Sequence, residues 1–503
     1  MHDVASLKRK LDSLINEVSE EAARRMADWT PRIERPGFSA SAANLAHYMA
    51  LRRHDLRPLQ RSLMALGMSS LGRLESRVLP TLKAVTANVA ALCGEAAAER
   101  PSSRQFFAGE HFLAERSTEL FGPRSGPRQT ALLVTCPTEA ADDPSFMLRL
   151  AERGVDAIRI NCAHDGAEAW QRMVNHVHAA EQATGRRIKI LMDIAGPKIR
   201  TGNSTLPDGH ERIGLGDLLA IVPQGGLDHV DLDEPHFAIE CTLTEPLVLT
   251  AIGARVFVDD GKLCVRIERR EPWGLLGRVT ASDDKGLRLK PEKGLNFPDT
   301  ALAIPALTAK DRADLDFVAR HADGVEFSFV QSVDDVEMLQ AALAERRPHD
   351  WQKLSLVLKI ETPEAVAKLP EIVVQAAGRQ PTAIMIARGD LAVEIGFARL
   401  AEMQEEILWI GEAAHVPVIW ATQVLEHLVK KGTPSRGEMT DAAMAARAEC
   451  VMLNKGPYLF KAITELDTLL ARMDGHQHKK TPQLRALRSW ESASAARRHK
   501  APA

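Results

Sequence analysis

Lysine and carboxylate side chains follow two successive β-like segments in the second half of the chain. Lys359 and Glu361 end the apolar run LSLVLKI, and the alternation of a strand places both on the same face. Asp390 follows the next run, AIMIA, within the sequence Ala-Arg-Gly-Asp. Two carboxylates from neighbouring strands suit Mg²⁺, which binds one or two of them and completes its shell with substrate oxygens and water. Lys359 beside them suits a phosphoryl group.

Polar residues also end other β-like segments. Arg159 and Asn161 close AIRIN, Asp193 lies in IKILMDI, and Thr422 follows VPVIWA. Taken singly, a Lys-x-Glu pair is usually a surface ion pair and Gly-Asp is usually a turn. At one end of one barrel these charges would be buried together, and unpaired buried charge costs several kcal/mol. The set therefore predicts one site that binds a metal ion and an anion.

Eight short apolar runs alternate with helical segments after Pro127. Strands that alternate with helices form parallel βαβ units, and eight of them predict an α/β fold of the (β/α)8 TIM-barrel type. Functional residues of such a barrel stand where its strands end. The predicted strands are 131–136, 157–161, 188–194, 324–330, 354–360, 383–387, 416–421 and 450–454.

Segments of different character flank and interrupt the barrel. Asp260-Gly261 between two alternating runs is a hairpin signal and predicts an inserted β-domain. Leu and Met at helical spacing predict an all-α N-terminal domain, and the composition of residues 96–128 indicates a linker. The predicted domains are 1–125 (helical), 126–202 with 294–474 (barrel), 203–293 (inserted β-domain) and 475–503 (a disordered basic tail).

Four arginines on successive helical turns leave two interpretations open. They form either a solvated face or a basic surface for an anionic ligand or for the barrel. The four are Arg52, Arg53, Arg57 and Arg61.

Composition excludes several classes of partner and location. The net charge of −3 argues against a nucleic-acid or acidic-membrane partner. The N-terminus lacks the apolar core of a signal peptide, and the sequence has no run of about 18 apolar residues. The six cysteines are scattered, which argues against a zinc site or a disulfide framework and predicts a reducing cytoplasm.

The order and spacing of these segments resemble the pyruvate kinase family over about residues 129–473. Lys359-Ile360-Glu361 matches the family's K-I-E, and ARGDLAVEIG (387–396) is close to A-R-G-D-L-G-V-E-I. Ser328 matches the serine of A-S-F. The other similar segments are RINCAH (159–164), DIAGPKIRTG (193–202), KGLNFP (293–298) and ATQVLEHLVKKGTPSRGEMTDAAMA (421–445).

The resemblance implies a role for each residue. Glu361 and Asp390 would bind Mg²⁺, with Mn²⁺ as an alternative ion, while Lys359 and Arg159 would hold the phosphoryl group of phosphoenolpyruvate. Thr422 and the backbone N–H groups at Gly389 and Asp390 would bind the substrate carboxylate. The inserted domain would be a small β-barrel that closes as a lid. The implied supporting and substrate-contact residues are Asn161, Asp193, Lys198, Arg200 and Ser328.

The sequence departs from the family pattern in four places. Asn454-Lys455 replaces the family's S-G-E-T-A-K-G, and the segment at Thr135 is degraded. The residues that the resemblance implies for nucleotide binding are Thr135, Asn161 and Lys455. The potassium site is altered at three positions, which predicts that K⁺ is not required. Only residues 475–503 follow the barrel, so we expect no C-terminal regulatory domain. The three altered positions are Ala163, Ile194 and Lys198.

Three functional hypotheses follow. The first is a pyruvate kinase that converts phosphoenolpyruvate and ADP to pyruvate and ATP in the cytoplasm, as a homo-oligomer such as a dimer through the barrel. The second is a Mg²⁺-dependent lyase or aldolase acting on an enolpyruvate-type substrate. The third is a non-catalytic regulator that binds phosphoenolpyruvate and signals through the N-terminal helices.

Overall fold

Helices form the N-terminal part of the chain in the computed structural model, which describes residues 4–95, 99–124, 126–302 and 304–483. Leu7, Leu11, Leu14 and Val18 recur at helical spacing and bury one stripe of the first helix. Residues 103–106 and 108–121 are helical, so the linker prediction for residues 96–128 is wrong over most of that segment. The helices are α1 (Val4–Trp29), α2 (Ser39–Leu51), α3 (Arg57–Ala65), α4 (Val78–Leu92), α5 (Ser103–Phe106) and α6 (Ala108–Phe121).

A first group of parallel strands begins the barrel. The runs that looked uniformly apolar in the sequence are buried on both faces, as in other parallel sheets covered by helices. The elements are β1 (Ala131–Thr135), α7 (Pro144–Glu152), β2 (Ala157–Asn161), α8 (Ala167–Thr184) and β3 (Lys189–Ile194).

A second sheet is inserted after β3. Its seven strands run in the order β10-β7-β8-β9-β5-β6-β4, and a bridge between Arg200 and Gly294 joins its edges at the base. Asp260-Gly261 lies in the turn of an antiparallel hairpin, as predicted. The elements are β4 (Thr201–Thr205), β5 (Leu218–Pro223), β6 (Phe237–Cys241), α9 (Glu245–Leu249), β7 (Arg255–Val258), β8 (Leu263–Glu271), β9 (Gly274–Ser282) and β10 (Leu295–Asn296).

The chain then returns and completes the barrel. Eight parallel strands close in the order β1-β15-β14-β13-β12-β11-β3-β2, which confirms the predicted fold class. The remaining elements are α10 (Ala309–His321), β11 (Gly324–Phe327), α11 (Val333–Arg346), β12 (Ser355–Ile360), α12 (Pro363–Ala367), α13 (Leu369–Ala377), β13 (Thr382–Ala387), α14 (Arg388–Ile395), α15 (Phe397–Ala414), β14 (Val418–Ala421), α16 (Glu426–Lys431), α17 (Arg436–Ala445), β15 (Cys450–Leu453) and α18 (Leu459–Met473).

The N-terminal helices pack on the end of the barrel where its strands begin. Leu120 and Phe121, at the end of α6, join the apolar cluster inside the barrel. Arg52 of the arginine series stacks over Trp409 of α15, with its guanidinium carbon 4.8 Å from the ring centroid. Two other members of the series pair with nearby carboxylates on the helical domain itself. These ion pairs are Arg53–Glu21 and Arg57–Asp55.

The segment after α18 is partly ordered. Residues 477–478 (β16) and 481–482 (β17) pair as a short antiparallel hairpin. Lys479 and Lys480 bind Glu449 and Glu75, which fastens this hairpin to the barrel and to the helical domain. The predicted disorder is therefore wrong for residues 475–483, and residues 484–503 lie outside the described chain. No helix in the described ranges has the length and apolar character needed to cross a membrane.

Candidate active site

Lys359 is the centre of a buried polar network at the carboxyl ends of the barrel strands. Its Nζ donates to Ser328 Oγ at 2.7 Å and to Asp193 Oδ1 at 3.1 Å, and it lies 3.3 Å from Glu361 Oε1. Burial lowers the pKa of Lys359, but the charges of Asp193 and Glu361 raise it by more than burial lowers it, so the pKa lies above the usual value. The ammonium therefore stays charged across the neutral range.

Arg159 binds the same network from β2. Its Nε donates to Glu326 Oε2 at 3.0 Å, its Nη1 to Thr135 Oγ1 at 3.1 Å, and its Nη2 to Asp193. Burial, together with the charge of Asp193, raises the pKa of Glu326 to about 7 despite the nearby guanidinium. Glu326 was not among the predicted residues. The available signal was its position two residues before Ser328 in the predicted strand 324–330, because alternation along a strand puts both side chains on one face.

Glu361 and Asp390 form a pair of neighbouring carboxylates. Glu361 is 3% exposed, and burial raises its pKa; Lys359 lowers this pKa, and the charge of Asp390 raises it again. Its Oε2 accepts from the backbone N–H of Phe329 at 2.6 Å. Asp390 Oδ1 accepts from Lys198 Nζ at 2.8 Å.

These two groups fit a Mg²⁺ ion. The hard oxygen donors that follow two adjacent strands, β12 and β13, match its preference, and a divalent charge would relieve the repulsion by Asp390 that helps to raise the pKa of Glu361. No group of three or more metal-ligating side chains occurs in the described ranges. The remaining positions of an octahedral ion would therefore be filled by substrate and water.

The start of α14 lies beside Thr422. A Cβ at Gly389 would lie 2.9 Å from Thr422 Cγ2, so glycine allows this close approach. Arg388, which was not singled out from the sequence, donates to Thr422 O at 2.8 Å and to Asp441 Oδ2 at 2.8 Å. Arg388 therefore connects the carbonyl of Thr422, whose backbone is left-handed with φ 68°, to Asp441. The backbone N–H groups of the first turn of α14 stand at the barrel mouth and can bind an anion.

The residues predicted to contact a nucleotide come from three adjacent strands. Thr135 ends β1, Asn161 ends β2, and Lys455 follows β15. Burial lowers the pKa of His164, and the charge of Lys455 lowers it further, so Lys455 lies on the same side of the mouth as β2. The Asn161 side chain accepts from the backbone N–H of Ala163 at 2.9 Å and so stabilises the turn that follows β2.

Arg200 stands at the base of the inserted sheet. Its Nη1 donates to Glu292 O at 3.0 Å, across the two connections between the sheet and the barrel. Arg200 also contributes to the lowered pKa of His164, after burial and Lys455. Arg200 therefore lies between the base of the inserted sheet and the side of the barrel mouth where His164 and Lys455 stand.

Comparison with known proteins identifies the barrel segment. Residues 127–461 match the family model described as the pyruvate kinase barrel domain. The pyruvate kinase of Methylorubrum extorquens is 32% identical over 65% of this chain and 64% of its own length. That of Agrobacterium vitis is 32% identical over 67% of both chains, and that of Aeropyrum pernix 30% over 68% and 69%. The chain thus spans about two thirds of the length of these relatives.

Proposed function

Because the chain belongs to the pyruvate kinase family, we propose that it transfers the phosphoryl group of phosphoenolpyruvate to ADP and forms pyruvate and ATP. The observation that supports this most strongly is the contact of one buried ammonium, Lys359, with groups on three strands. A fixed cation in a dry site stabilises charge on a phosphoryl group in flight without reorganising.

Glu361 and Asp390 would hold Mg²⁺, or Mn²⁺ with the same oxygen donors. The bound ion would supply positive charge that stabilises the negative oxygens of the substrate. Asp193 and Ser328 fix the direction of the Lys359 ammonium through bonds of 3.1 and 2.7 Å. Arg159 is held by three side chains and would face the same phosphate.

The substrate carboxylate would lie at the start of α14 and would accept from the N–H groups of Gly389 and Asp390 and from the hydroxyl of Thr422. Thr422 would also be the hydroxyl nearest the enolate and would pass a proton to it. Asn454 stands where the family segment S-G-E-T-A-K-G has its serine, and an amide cannot relay a proton as a hydroxyl does. The inserted domain would exclude water during transfer. ADP would bind across Thr135, Asn161 and Lys455, with Arg200 at the edge of that surface.

Lys198 would replace the monovalent cation. Its ammonium lies 2.8 Å from Asp390 and supplies one positive charge there. Ala163 and Ile194 lack the side-chain oxygens that a potassium ion would need. We therefore propose that turnover does not require K⁺.

A homo-oligomer formed through the barrel is part of the same proposal. Phe397, at the start of α15, is 76% exposed and is a candidate contact for such an interface. The six cysteines are all free, in keeping with a reducing cytoplasm.

A coupled assay tests the proposed reaction. Pyruvate formed from phosphoenolpyruvate, ADP and Mg²⁺ is followed with lactate dehydrogenase, with and without K⁺. We expect turnover in both conditions and a loss of at least about a hundredfold in Lys359→Met. Lys189→Met is the matched control, because Lys189 pairs with Asp323 at the opposite end of β3.

Other outcomes would point to other functions. Mg²⁺-dependent enolisation of pyruvate that ignores ADP would favour a lyase or aldolase. A large thermal shift with phosphoenolpyruvate and no turnover would favour a regulator. Equal activity of Lys359→Met and the wild type would refute the assignment of Lys359.

A further inference from the structure

The last turn of α14 is bonded to the strand that returns from the inserted domain. Asn296 Nδ2 donates to Glu394 Oε1 at 2.9 Å, and Asn296 is only 7% exposed. Asn296 lies in β10, where it pairs with Phe257 of β7 in the inserted sheet. One side-chain bond therefore joins the inserted domain to the helix that begins at the barrel mouth.

The hairpin turn of the inserted domain touches the same part of α14. At Gly261, φ is +84°, and a Cβ built there would lie 3.5 Å from Val393 Cγ2. Val393 and Glu394 are adjacent, so the inserted domain meets the last turn of α14 at two points. One contact comes from the β7–β8 turn and the other from β10. Because both β8 and β10 pair with β7, the two contacts belong to one part of the inserted sheet.

The opposite end of α14 is fixed to the barrel by the bonds of Arg388 to Asp441 and Thr422 O. The helix has eight residues and is about 12 Å long. Asp390 lies in its first turn, between the two fixed ends. A tilt of so short a helix about its fixed first turn would change the direction in which the Asp390 carboxylate points toward Glu361.

A cavity of about 210 Å³ leaves room for such a tilt. It lies between α14 and the two connections of the inserted domain, and Glu394 and Asn296 form part of its wall. Packing on this side of the helix is therefore incomplete, and the bonds of Glu394 to Asn296 and of Asp390 to Lys198 cross the gap. Burial raises the pKa of Glu394 to about 7, and the Asn296 bond acts against this shift.

We propose that Glu394 is a positioning residue, which through Asn296 couples the inserted domain to the place of Asp390 in the metal site. The inference rests on the proposed function, because it assumes that Asp390 binds the metal ion. Closure of the inserted domain would then set the distance between Asp390 and Glu361, and opening would loosen the ion after turnover.

An exchange of donor and acceptor tests the coupling at pH 8, where Glu394 is ionised. Asn296→Asp places two carboxylates against each other, whereas Asn296→Asp/Glu394→Gln restores a bond of reversed direction. Free Mn²⁺ is measured by electron paramagnetic resonance in the presence of phosphoenolpyruvate. We expect about tenfold weaker Mn²⁺ binding in Asn296→Asp and recovery to within about threefold in the double variant.

Two controls separate this role from a general loss of structure. Glu394→Gln alone keeps an acceptor for Asn296 and is expected to bind Mn²⁺ within about threefold of the wild type. Glu364→Gln removes an exposed carboxylate from the same cavity wall and is expected to change nothing. Unchanged Mn²⁺ binding in Asn296→Asp, or a double variant no better than that single variant, would overturn the coupling.

Failure of the proposed function would look different. In that case the wild type itself would bind no Mn²⁺ with phosphoenolpyruvate. Hydrogen exchange of the α14 amides in the free protein then tests the bond alone. Faster exchange in Asn296→Asp that the double variant reverses supports the bond, and equal exchange in all three proteins refutes it.

Discussion

Replacement of Lys198 tests the proposal that its ammonium takes the place of a monovalent cation beside Asp390. Lys198 Nζ lies 2.8 Å from Asp390 Oδ1, and the two side chains are 22% and 17% exposed. At an effective dielectric constant of about 20, two charges at this distance attract by about 6 kcal/mol before solvation costs. Solvent screening at these partly exposed groups reduces the net value to about 2 kcal/mol, which corresponds to about a 30-fold effect. We therefore expect Lys198→Met to lower kcat/KM for phosphoenolpyruvate about 30-fold without K⁺.

Added potassium distinguishes this explanation from a simple loss of stability. Because Ala163 and Ile194 offer no side-chain oxygen, 100 mM K⁺ (a concentration of about the cellular order) should restore little activity to Lys198→Glu. The triple variant Ala163→Ser/Ile194→Thr/Lys198→Glu should respond to K⁺. Lys189→Met is the control, because its ion pair with Asp323 has similar exposure, 22% and 19%, at the far end of the barrel. Activation of the wild type by K⁺, or full activity of Lys198→Met in its absence, would refute the reasoning.

Three further predictions concern the scaffold that carries the site. The His415 ring bonds Ser41 Oγ and the carbonyl of Ser76 in the helical domain. Burial lowers the pKa of His415 to about 4, so its stabilising contribution is complete above pH 6.5 and is lost as the pH falls through 4. The wild type should lose about 2 kcal/mol between pH 7 and 5 from this group, and His415→Gln should remove that part of the slope in urea titrations at both pH values. Arg388→Lys cannot keep the paired bonds to Asp441 and should lower kcat about a hundredfold with little change in KM; an equal change in both constants would contradict this. Phe121→Ala should cost about 3–5 kcal/mol of unfolding free energy at the barrel floor, whereas Phe107→Ala, 42% exposed, should cost under about 1 kcal/mol.

The barrel could be predicted from the sequence because one physical constraint dominates it. Parallel strands covered by helices are buried on both faces, so each appears as an uninterrupted apolar run. Polar residues such as Lys359 and Asp193 in these runs then stand out, since they are tolerated only where a site needs them. The hairpin at Asp260-Gly261 was accessible for a similar reason, because a tight turn restricts the residue types that can form it.

The errors arose where tertiary contacts outweigh local composition. Residues 108–121 contain Gly, Ser and Glu, but Leu120 and Phe121 gain a buried place inside the barrel, which stabilises the whole helix. The tail after residue 475 is polar and basic, yet Lys479 and Lys480 find carboxylate partners on two other parts of the chain. Neither partner is near in sequence, so no local pattern could reveal the contact.

Glu326 and Arg388 were missed for a related reason. Each forms a hydrogen bond to a predicted site residue. Glu326 accepts from Arg159, and Arg388 donates to the backbone carbonyl of Thr422. A supporting residue shows its role only through its partner. The strand spacing of Glu326 and the position of Arg388 before Gly389 placed both near the site but did not say what they bind.

The balance of charge relates Lys198 to the carboxylate pair Glu361 and Asp390. The contacts described above join three cationic side chains to four carboxylates, so the network is negative before any ion binds, and less so while Glu326 is protonated near its pKa of about 7. Without Lys198 the Asp390 carboxylate would lose its cationic partner, because no other lysine among the described residues lies within ion-pair distance of it. The Lys198 ammonium carries the same charge as a potassium ion. It is attached to the chain, so its presence beside Asp390 does not depend on the potassium concentration of the medium. The network members are Arg159, Lys198 and Lys359 with Asp193, Glu326, Glu361 and Asp390.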